Sequence, residues 1–382
     1  MTVITNIEDL RVLAQRRVPR MFYDYADAGS WTESTYRANE TDVDKILLRQ
    51  RVAVNLENRS TRTTMIGQPV AMPVAIAPVG LTGMQHADGE ILVARAAKTF
   101  GIPFTLSTMS ICSIEDVAQA TGGHPFWFQL YVMRDRGFIE RLIDRAKAAG
   151  CSALVLTLDL QIIGQRHKDL KNGLSAPPKL TLPNILNMMT KPRWCMAMLG
   201  TPRREFRNIV GHVKGVEDMG SLSDWTAKQF DPALSWADVE WIKKRWGGPL
   251  ILKGIQDVED ARLAVDSGAD ALIVSNHGGR QLDGAPSSIS ALPAIVDAVG
   301  RRIEVHMDGG IRSGQHVLKA MALGAKGTYI GRAMVYGLGA LGQAGVEAAL
   351  QIIHKELDLT MAFCGRTDIN AVDRDILLPG TF

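Results

Sequence analysis

The sequence predicts an α/β protein built as a (β/α)8 TIM barrel, and three observations carry that expectation. Short apolar runs ending in Gly, Ser, Thr or Asp alternate from residue 70 onward with segments of helical period. Eight such runs occur. No Gly-rich dinucleotide turn opens the series, and an open doubly wound sheet usually has fewer strands, so the closed barrel is favoured.

The strand candidates, in order, are 72–78, 103–108, 125–131, 153–159, 249–254, 271–277, 304–309 and 327–332. Helical segments between them fall at 88–100, 114–120, 137–149, 236–246, 257–267, 289–299 and 315–323, mostly opened by Ser, Asp or Gly and closed by Gly. Residues 333–353 supply the helix after the eighth strand. Residues 1–68 precede the repeat as a cap, with a helix around 8–16 and the aromatic cluster Phe22, Tyr23 and Tyr25. A connection at 160–235 follows the fourth strand and far exceeds the usual βα loop of about 2–6 residues. All of 1–382 reads as one barrel domain with these two additions.

Composition narrows the function. Of 382 residues 46% are hydrophobic and 22% charged, which suits a globular protein and neither a disordered chain nor an integral membrane protein. A net charge of +3 lacks the positive field that nucleic acid would call for. Cys112, Cys151, Cys195 and Cys364 form no C-x-x-C pair, so neither a zinc site nor a disulfide framework is expected, and a reducing compartment fits. No secretory h-region opens the chain. The longest stretch free of charged residues is broken by Pro69, Pro73 and Pro78, so no membrane-spanning helix is expected.

In a barrel, reactive groups collect where strands end and βα loops begin. Those ends read Pro78-Val79-Gly80, Ser107-Thr108-Met109, Gln129-Leu130-Tyr131, Thr157-Leu158-Asp159, Lys253, Ser275 to Arg280, Asp308 to Arg312 and Gly331-Arg332. Any one of them could be a helix cap or a solvated side chain; eight converging ends point to a site. The sharpest element is SNHGGRQLDG, 275–284. His277 can take a proton near neutral pH, and Arg280 can hold a carboxylate by a two-pronged contact. Asp159, at another strand end, can orient His277 and stabilise its protonated form. DGGIRSG and GTYIGR place backbone NH groups beside Arg312 and Arg332, at the face where barrels commonly bind phosphate. Gly337 to Gly342 matches G-x-G-x-x-G but lies inside a helical pattern and opens no βα unit, so it is discounted. No H-E-x-x-H, P-loop or G-x-S-x-G motif occurs, and no metal site is expected.

At these residues the chain resembles the FMN-dependent L-2-hydroxy acid oxidases and dehydrogenases. YDYADAG, APVG, LST, FQLY, LTLD, LKG, SNHGGRQLDG, DGGIRSG and IGR carry the likeness over nearly the whole chain. LSTMSICSIEDV, WFQLYVMRDRGF and FDPALSWADVEWI bring it nearest to the bacterial respiratory L-lactate dehydrogenases within that family. The resemblance implies His277 as the base, assisted by Asp159. It implies Tyr25, Arg166 and Arg280 on the substrate carboxylate and Tyr131 on the substrate oxygen. FMN would meet Pro78, Val79, Gly80, Ser107, Gln129, Thr157, Lys253 and Ser275, with its phosphate on Asp308, Gly309, Gly310, Arg312, Gly331 and Arg332. Lys253 suits the flavin N1/O2 edge, where reduction builds negative charge. Met109 and Gly80 depart from the glycolate-oxidase pattern of Trp and Ala, which argues against glycolate as substrate. With no haem-binding segment ahead of residue 1, no flavocytochrome architecture is expected, and the terminal PGTF is no peroxisomal signal.

The expected activity is therefore FMN-dependent oxidation of an L-2-hydroxy acid, L-lactate to pyruvate, with electrons passed to a quinone or similar acceptor. Its alternatives are an oxygen-using oxidase or monooxygenase, a flavin-free phosphate-binding barrel isomerase, and a non-catalytic binding module. A homotetramer is implied by the resemblance. Between Leu174 and Gly215, seven basic residues (Lys179, Lys191, Arg193, Arg203, Arg204, Arg207 and Lys214) face one acid, Glu205, amid apolar residues. That composition matches an interfacial anchor and predicts a cytoplasmic protein held peripherally on the inner face of the membrane. Pro177, Pro178, Pro183, Pro192 and Pro202 forbid one continuous helix there.

Overall fold

The computed structural model describes residues 3–174, 181–213, 225 and 229–382. Its N-terminal part folds as α1 (Ile7–Arg17), α2 (Arg20–Ala26) and α3 (Ser34–Lys45), then a hairpin of β1 (Thr63–Met65) and β2 (Gln68–Val70). An Asn6/Asp9 capping box starts α1, whose Ile7, Leu10 and Ala14 are buried. The sequence expectation covers α1 alone, because α2 and α3 are short and take their stability from packing rather than from their own periodicity.

The repeat follows as β3 (Val74–Ile76), α4 (Thr82–Gln85), α5 (Gly89–Phe100), β4 (Thr105–Ser107), α6 (Ile114–Ala120), β5 (Trp127–Tyr131), α7 (Arg136–Ala148) and β6 (Ala153–Thr157). The long connection carries α8 (His167–Lys171), α9 (Leu182–Met189) and α10 (Pro192–Leu199). The series then resumes with α11 (Trp236–Trp246), β7 (Leu250–Ile255), α12 (Val258–Asp266), β8 (Ala271–Val274), α13 (Ser288–Val299), β9 (Glu304–Met307), α14 (Gly314–Ala322), β10 (Gly327–Ile330), α15 (Arg332–Leu341) and α16 (Gln343–Phe363). Strands β3 to β10 pair in parallel in the order 3-10-9-8-7-6-5-4, and one bridge between Ile76 and Phe104 closes the ring. The (β/α)8 barrel expected from the eight apolar runs is what forms. Most observed strands stop short of the predicted ends because the residues there leave the ladder, Pro78 and His277 to line the mouth and Asp159 to bond His277.

Side chains alternate across the barrel wall. Ala75, Trp127, Val155, Ile251, Ile273 and Tyr329 pack together inside, while Leu154, Leu156, Leu250, Leu252 and Leu272 join the layer beneath the helices. Met65 and Val70 of the hairpin belong to the inner cluster, and the Ile66 amide donates to Glu304 at 3.0 Å. The hairpin thus plugs the end of the barrel opposite the site.

The single helix expected at 333–353 is two, divided at Gly342, whose φ of 65° and ψ of −142° no helix accommodates. Glycine sets the crossing: a Cβ on Gly337 would lie 2.4 Å from the Gly345 carbonyl oxygen. A Cβ on Gly339 would lie 2.7 Å from Val18, so the G-x-G-x-x-G match serves helix packing.

The described part of the long connection is latched to the cap. Lys191 donates to the Arg16 carbonyl at 2.7 Å, the Arg20 amide donates to Asn187 at 2.7 Å, and Phe22 stacks on Trp194 with centroids 5.5 Å apart. Pro183 and Pro192 occupy first turns of α9 and α10, where proline is tolerated. The outward faces are apolar: Leu182, Leu186, Met189, Met196 and Leu199 are each more than half exposed. The cationic surplus is smaller at the surface than in the sequence. Arg203 pairs with Asp88 and Asp116, and Arg207 with Asp116, which ties both to the barrel. Pro177, Pro178, Lys179, Leu180 and Lys214 lie outside the described residues. Among the described residues no helix is long and apolar enough to cross a membrane.

Candidate active site

A cavity of about 450 Å³ opens at the strand-end face, within the size range of cofactor sites. Its wall includes Tyr25, Pro78, Val79, Gly80, Tyr131, Arg166, Lys253, His277, Arg280, Asp308, Gly309, Gly310, Arg312, Gly331 and Arg332. Ser107, Gln129, Thr157 and Ser275 are buried behind that wall and linked to one another or to it. Ser107 donates to Gln129 Oε1 (3.1 Å), Gln129 Nε2 donates to Thr157 (3.0 Å), and Lys253 Nζ donates to Ser275 (2.9 Å).

His277 follows β8 with a φ of 58°, a left-handed conformation rare outside glycine, which Gly278 and Gly279 continue. Its Nδ1 lies 2.9 Å from Asp159 Oδ1. An ionised carboxylate only accepts, so Nδ1 carries the proton and Nε2 presents its lone pair. Burial pushes the imidazole below its ordinary pKa, and the opposing pull of Asp159 does not restore it. Burial raises the Asp159 carboxyl, but His277 and Lys253 outweigh it and hold the group ionised. The pair is a neutral base beside a fixed negative charge.

The anion contacts surround this base. Burial and neighbouring Arg166 lower Arg280 to about 10, so a bound carboxylate would relieve an uncomfortable cation. Arg280 Nη1 donates to the Tyr25 and Ala28 carbonyls, while its Nε and Nη2 have no hydrogen bond among the described residues. The Tyr25 ring lies 4.7 Å from the Arg280 guanidinium and 5.7 Å from that of Arg166, whose Nε is held by Asp169 at 2.7 Å. Burial keeps the Tyr131 phenol protonated, a donor.

The remaining wall fits FMN. Lys253, almost fully buried, sits 3.1 Å from Asp308; burial works against its charge, but Asp308 and Asp159 outweigh that and keep it cationic. Among the described residues Asp308 Oδ1 is buried without a partner, an acceptor open to a donating group of the cofactor. Gly309 and Gly310 have φ of 93° and 82°, and a Cβ on Gly310 would lie 2.0 Å from the Asn39 carbonyl oxygen. This loop, Gly331 and Arg312 form a concave end suited to a phosphate, where Arg312 donates to Glu40 at 2.7 Å and to the Ile311 carbonyl at 3.0 Å. Arg332 differs from the expectation in detail: its Nε, Nη1 and Nη2 donate to the carbonyls of Ala26, Gly278 and Ala28, so its strongest contacts are to the protein.

Sequence reasoning missed several residues. Met21, Phe22, Met84, Leu174, Phe206 and Phe230 give the cavity an apolar outer half, with nothing but composition to signal it. Gln281 donates to the Asp159 carbonyl at 2.7 Å, and Asp283 accepts from Thr32, Ser34 and Thr35 of the cap. Both stand within SNHGGRQLDG, so that motif encodes its own supports. A Cβ on Gly80 would sit 3.1 Å from the Tyr25 hydroxyl and 3.3 Å from Met109, which ties the two departures from the glycolate-oxidase pattern to one crowded spot.

A family model described as FMN-dependent dehydrogenase matches residues 14–379. Among curated relatives, an L-lactate dehydrogenase of Pseudomonas syringae pv. syringae (strain B728a) is 47% identical over 378 residues, covering 98% of this chain and 99% of the relative. An L-lactate dehydrogenase of Caulobacter vibrioides (strain NA1000 / CB15N) is 46% identical, covering 98% of both. Of solved structures, the monotopic membrane protein (S)-mandelate dehydrogenase superposes with a TM-score of 0.93 at 34% identity, covering 98% of this chain and 99% of that one.

Proposed function

The chain belongs to the FMN-dependent dehydrogenase family, and from that premise we propose that it oxidises L-lactate to pyruvate and passes the electrons to a membrane quinone. The observation that carries this reading is His277, bonded to Asp159 behind it at 2.9 Å, in one cavity with Arg280, Arg166, Tyr25, Tyr131 and Lys253. Arg280, through its unengaged Nε and Nη2, and Arg166 hold the substrate carboxylate, with Tyr25 packed between them. Tyr131 donates to the substrate oxygen. His277 Nε2 takes the hydroxyl proton, and Asp159 stabilises the imidazolium that results. While the hydroxyl proton goes to His277, FMN, when bound, would supply the two-electron acceptor that takes the substrate's α-hydrogen with its bonding pair. Lys253 supplies the fixed positive charge that favours its reduced form. Ser107, Gln129, Thr157 and Ser275 would brace the wall behind it, Asp308 would accept from a donating group of the cofactor, and the Gly309–Gly310 backbone with Arg312, Gly331 and Arg332 would receive the phosphate.

Two features support a quinone and a membrane surface. The outer half of the cavity is apolar, and Trp194 of α10 donates at 2.8 Å to the carbonyl of Met84, one of its lining residues. The exposed apolar faces of α9 and α10 adjoin that mouth and suit shallow insertion on the inner face of the cell membrane, as the name of the monotopic relative also suggests. The proposed assembly is a homotetramer, tested by sedimentation velocity.

The test of the chemistry is spectroscopic. Purified protein should be yellow, and L-lactate added without oxygen should bleach the flavin band; a band untouched by L-lactate would overturn the substrate assignment. Peroxide or acetate formed in air at the rate of lactate loss would instead make the protein an oxidase or monooxygenase.

A further inference from the structure

Asp27 is the most heavily bonded carboxylate in the cap, and the mechanism above makes no use of it. It is 5% exposed. Its Oδ1 accepts from the Tyr36 hydroxyl at 3.0 Å and the Tyr336 hydroxyl at 2.5 Å; its Oδ2 accepts from Tyr23 at 3.0 Å and Arg11 at 3.1 Å. These partners come from α1, α2, α3 and α15, so one carboxylate ties four helices together.

The main chain around it is equally engaged. Carbonyls at the end of α2 have no partner within the helix. Here the row that closes α2 and runs just past it receives cations: Tyr25 takes Arg280, Ala26 takes Arg332, Asp27 takes Lys168, and Ala28 takes both arginines. Arg332 then passes the restraint on. Its Nη1 donates to the Gly278 carbonyl at 3.0 Å, and the Ser30 amide donates to the next carbonyl, Gly279, at 2.9 Å. Those two glycines directly follow His277 in its left-handed conformation.

We propose that Asp27 is a positioning residue for both halves of the proton-transfer site: by fixing the carbonyl row 25–28 it aims Arg280 at the substrate carboxylate and, through Arg332, holds the turn that presents His277. A cap that merely covered the barrel would not need its carbonyls matched to the two arginines. The proposal rests on the roles given above to Arg280 and His277.

The test uses FMN-loaded Asp27→Asn, which keeps the size and loses the charge and part of the accepting capacity. Oxalate, a non-reacting dicarboxylate, is titrated against the flavin spectrum to read Arg280, and anaerobic flavin reduction by L-lactate reads His277. Oxalate binding is expected to weaken about tenfold or more, the loss typical of a buried charged hydrogen-bond acceptor. The limiting reduction rate should fall as well, and its acid limb should move. A structural role alone would lower the melting temperature and leave the FMN-loaded fraction with parental oxalate affinity, rate and pH profile; that result overturns the proposal. Should Asp27→Asn fail to fold, Tyr336→Phe and Tyr36→Phe each remove one bond and keep the charge. Smaller changes in the same direction support the proposal, and parental values in both refute it. If the parent flavin is not bleached by L-lactate, the substrate assignment fails, and the oxalate titration still decides the role of Asp27.

Discussion

Replacing Asp159 by Asn removes one charge from the site and little else. The amide oxygen can still accept from His277 Nδ1, now 2.9 Å from the carboxylate, so the ring stays oriented. What disappears is the attraction between the carboxylate and the imidazolium formed as the proton transfers. With charge centres about 4 Å apart and an effective dielectric of about 20, that attraction is about 4 kcal/mol, or about three decades in rate. Coulombic attraction to Asp159 also raises the His277 pKa against the lowering by burial. Without it the imidazole becomes harder to protonate. The parent's reduction rate should fall in acid, where His277 is already protonated and cannot take a proton, and stay level above. In Asp159→Asn the plateau should drop about 10²–10⁴-fold, while the acid limb shifts to lower pH. Stopped-flow bleaching of the flavin by L-lactate without oxygen, from acid to alkaline pH, measures both. A plateau within a few-fold of the parent, or an acid limb displaced upward, would refute the reasoning.

Arg280→Lys should chiefly weaken binding, by about 10–100-fold, because one ammonium cannot serve both the backbone carbonyls and a two-pronged carboxylate; oxalate titration of the flavin spectrum checks it. Gly310→Ala should loosen FMN about tenfold or more, since the new Cβ would need a φ of 82° and would meet the Asn39 carbonyl oxygen at 2.0 Å. FMN fluorescence on dilution reads this, and full retention would count against the phosphate site. Changing Leu182, Leu186, Met189, Met196 and Leu199 to Gln should abolish co-sedimentation with anionic vesicles and leave flavin reduction by L-lactate unchanged. Equal sedimentation of parent and variant would remove the anchor.

The barrel was legible because its strands are buried on both faces, so each reads as an unbroken apolar run ended by a polar residue. Asp159 and His277 were legible for the same reason, as polar residues just past such a run, Lys253 as the lone charge within one, and Arg280 through the SNHGGRQLDG motif that follows β8. The cap was not. α2 and α3 are ordered by bonds to distant partners such as Asp27 with Tyr336, and no local period reports those. Arg332 shows the boundary most clearly. Its position after the eighth strand points to the phosphate end, whose wall it joins, but the carbonyls of Ala26, Ala28 and Gly278 that fix it arrive from two other parts of the chain and leave no local signal. The break at Gly342 was obscured by the good helix formers on both sides of it.

One joint in the ring differs from the rest. Strands β5 and β6 meet along five residue pairs, whereas β3 and β4 touch through the lone Ile76–Phe104 bridge. Thermal opening of the cylinder therefore begins at that seam, and the loops leaving both its strands, at Val79 and Met109, line the cavity that takes the cofactor. A ligand held across them acts as a clasp on the weakest join, stabilising the closed ring by mass action. Amide exchange near Ile76 and Thr105 should accordingly slow most on loading with FMN, while β6 and β7 hardly change.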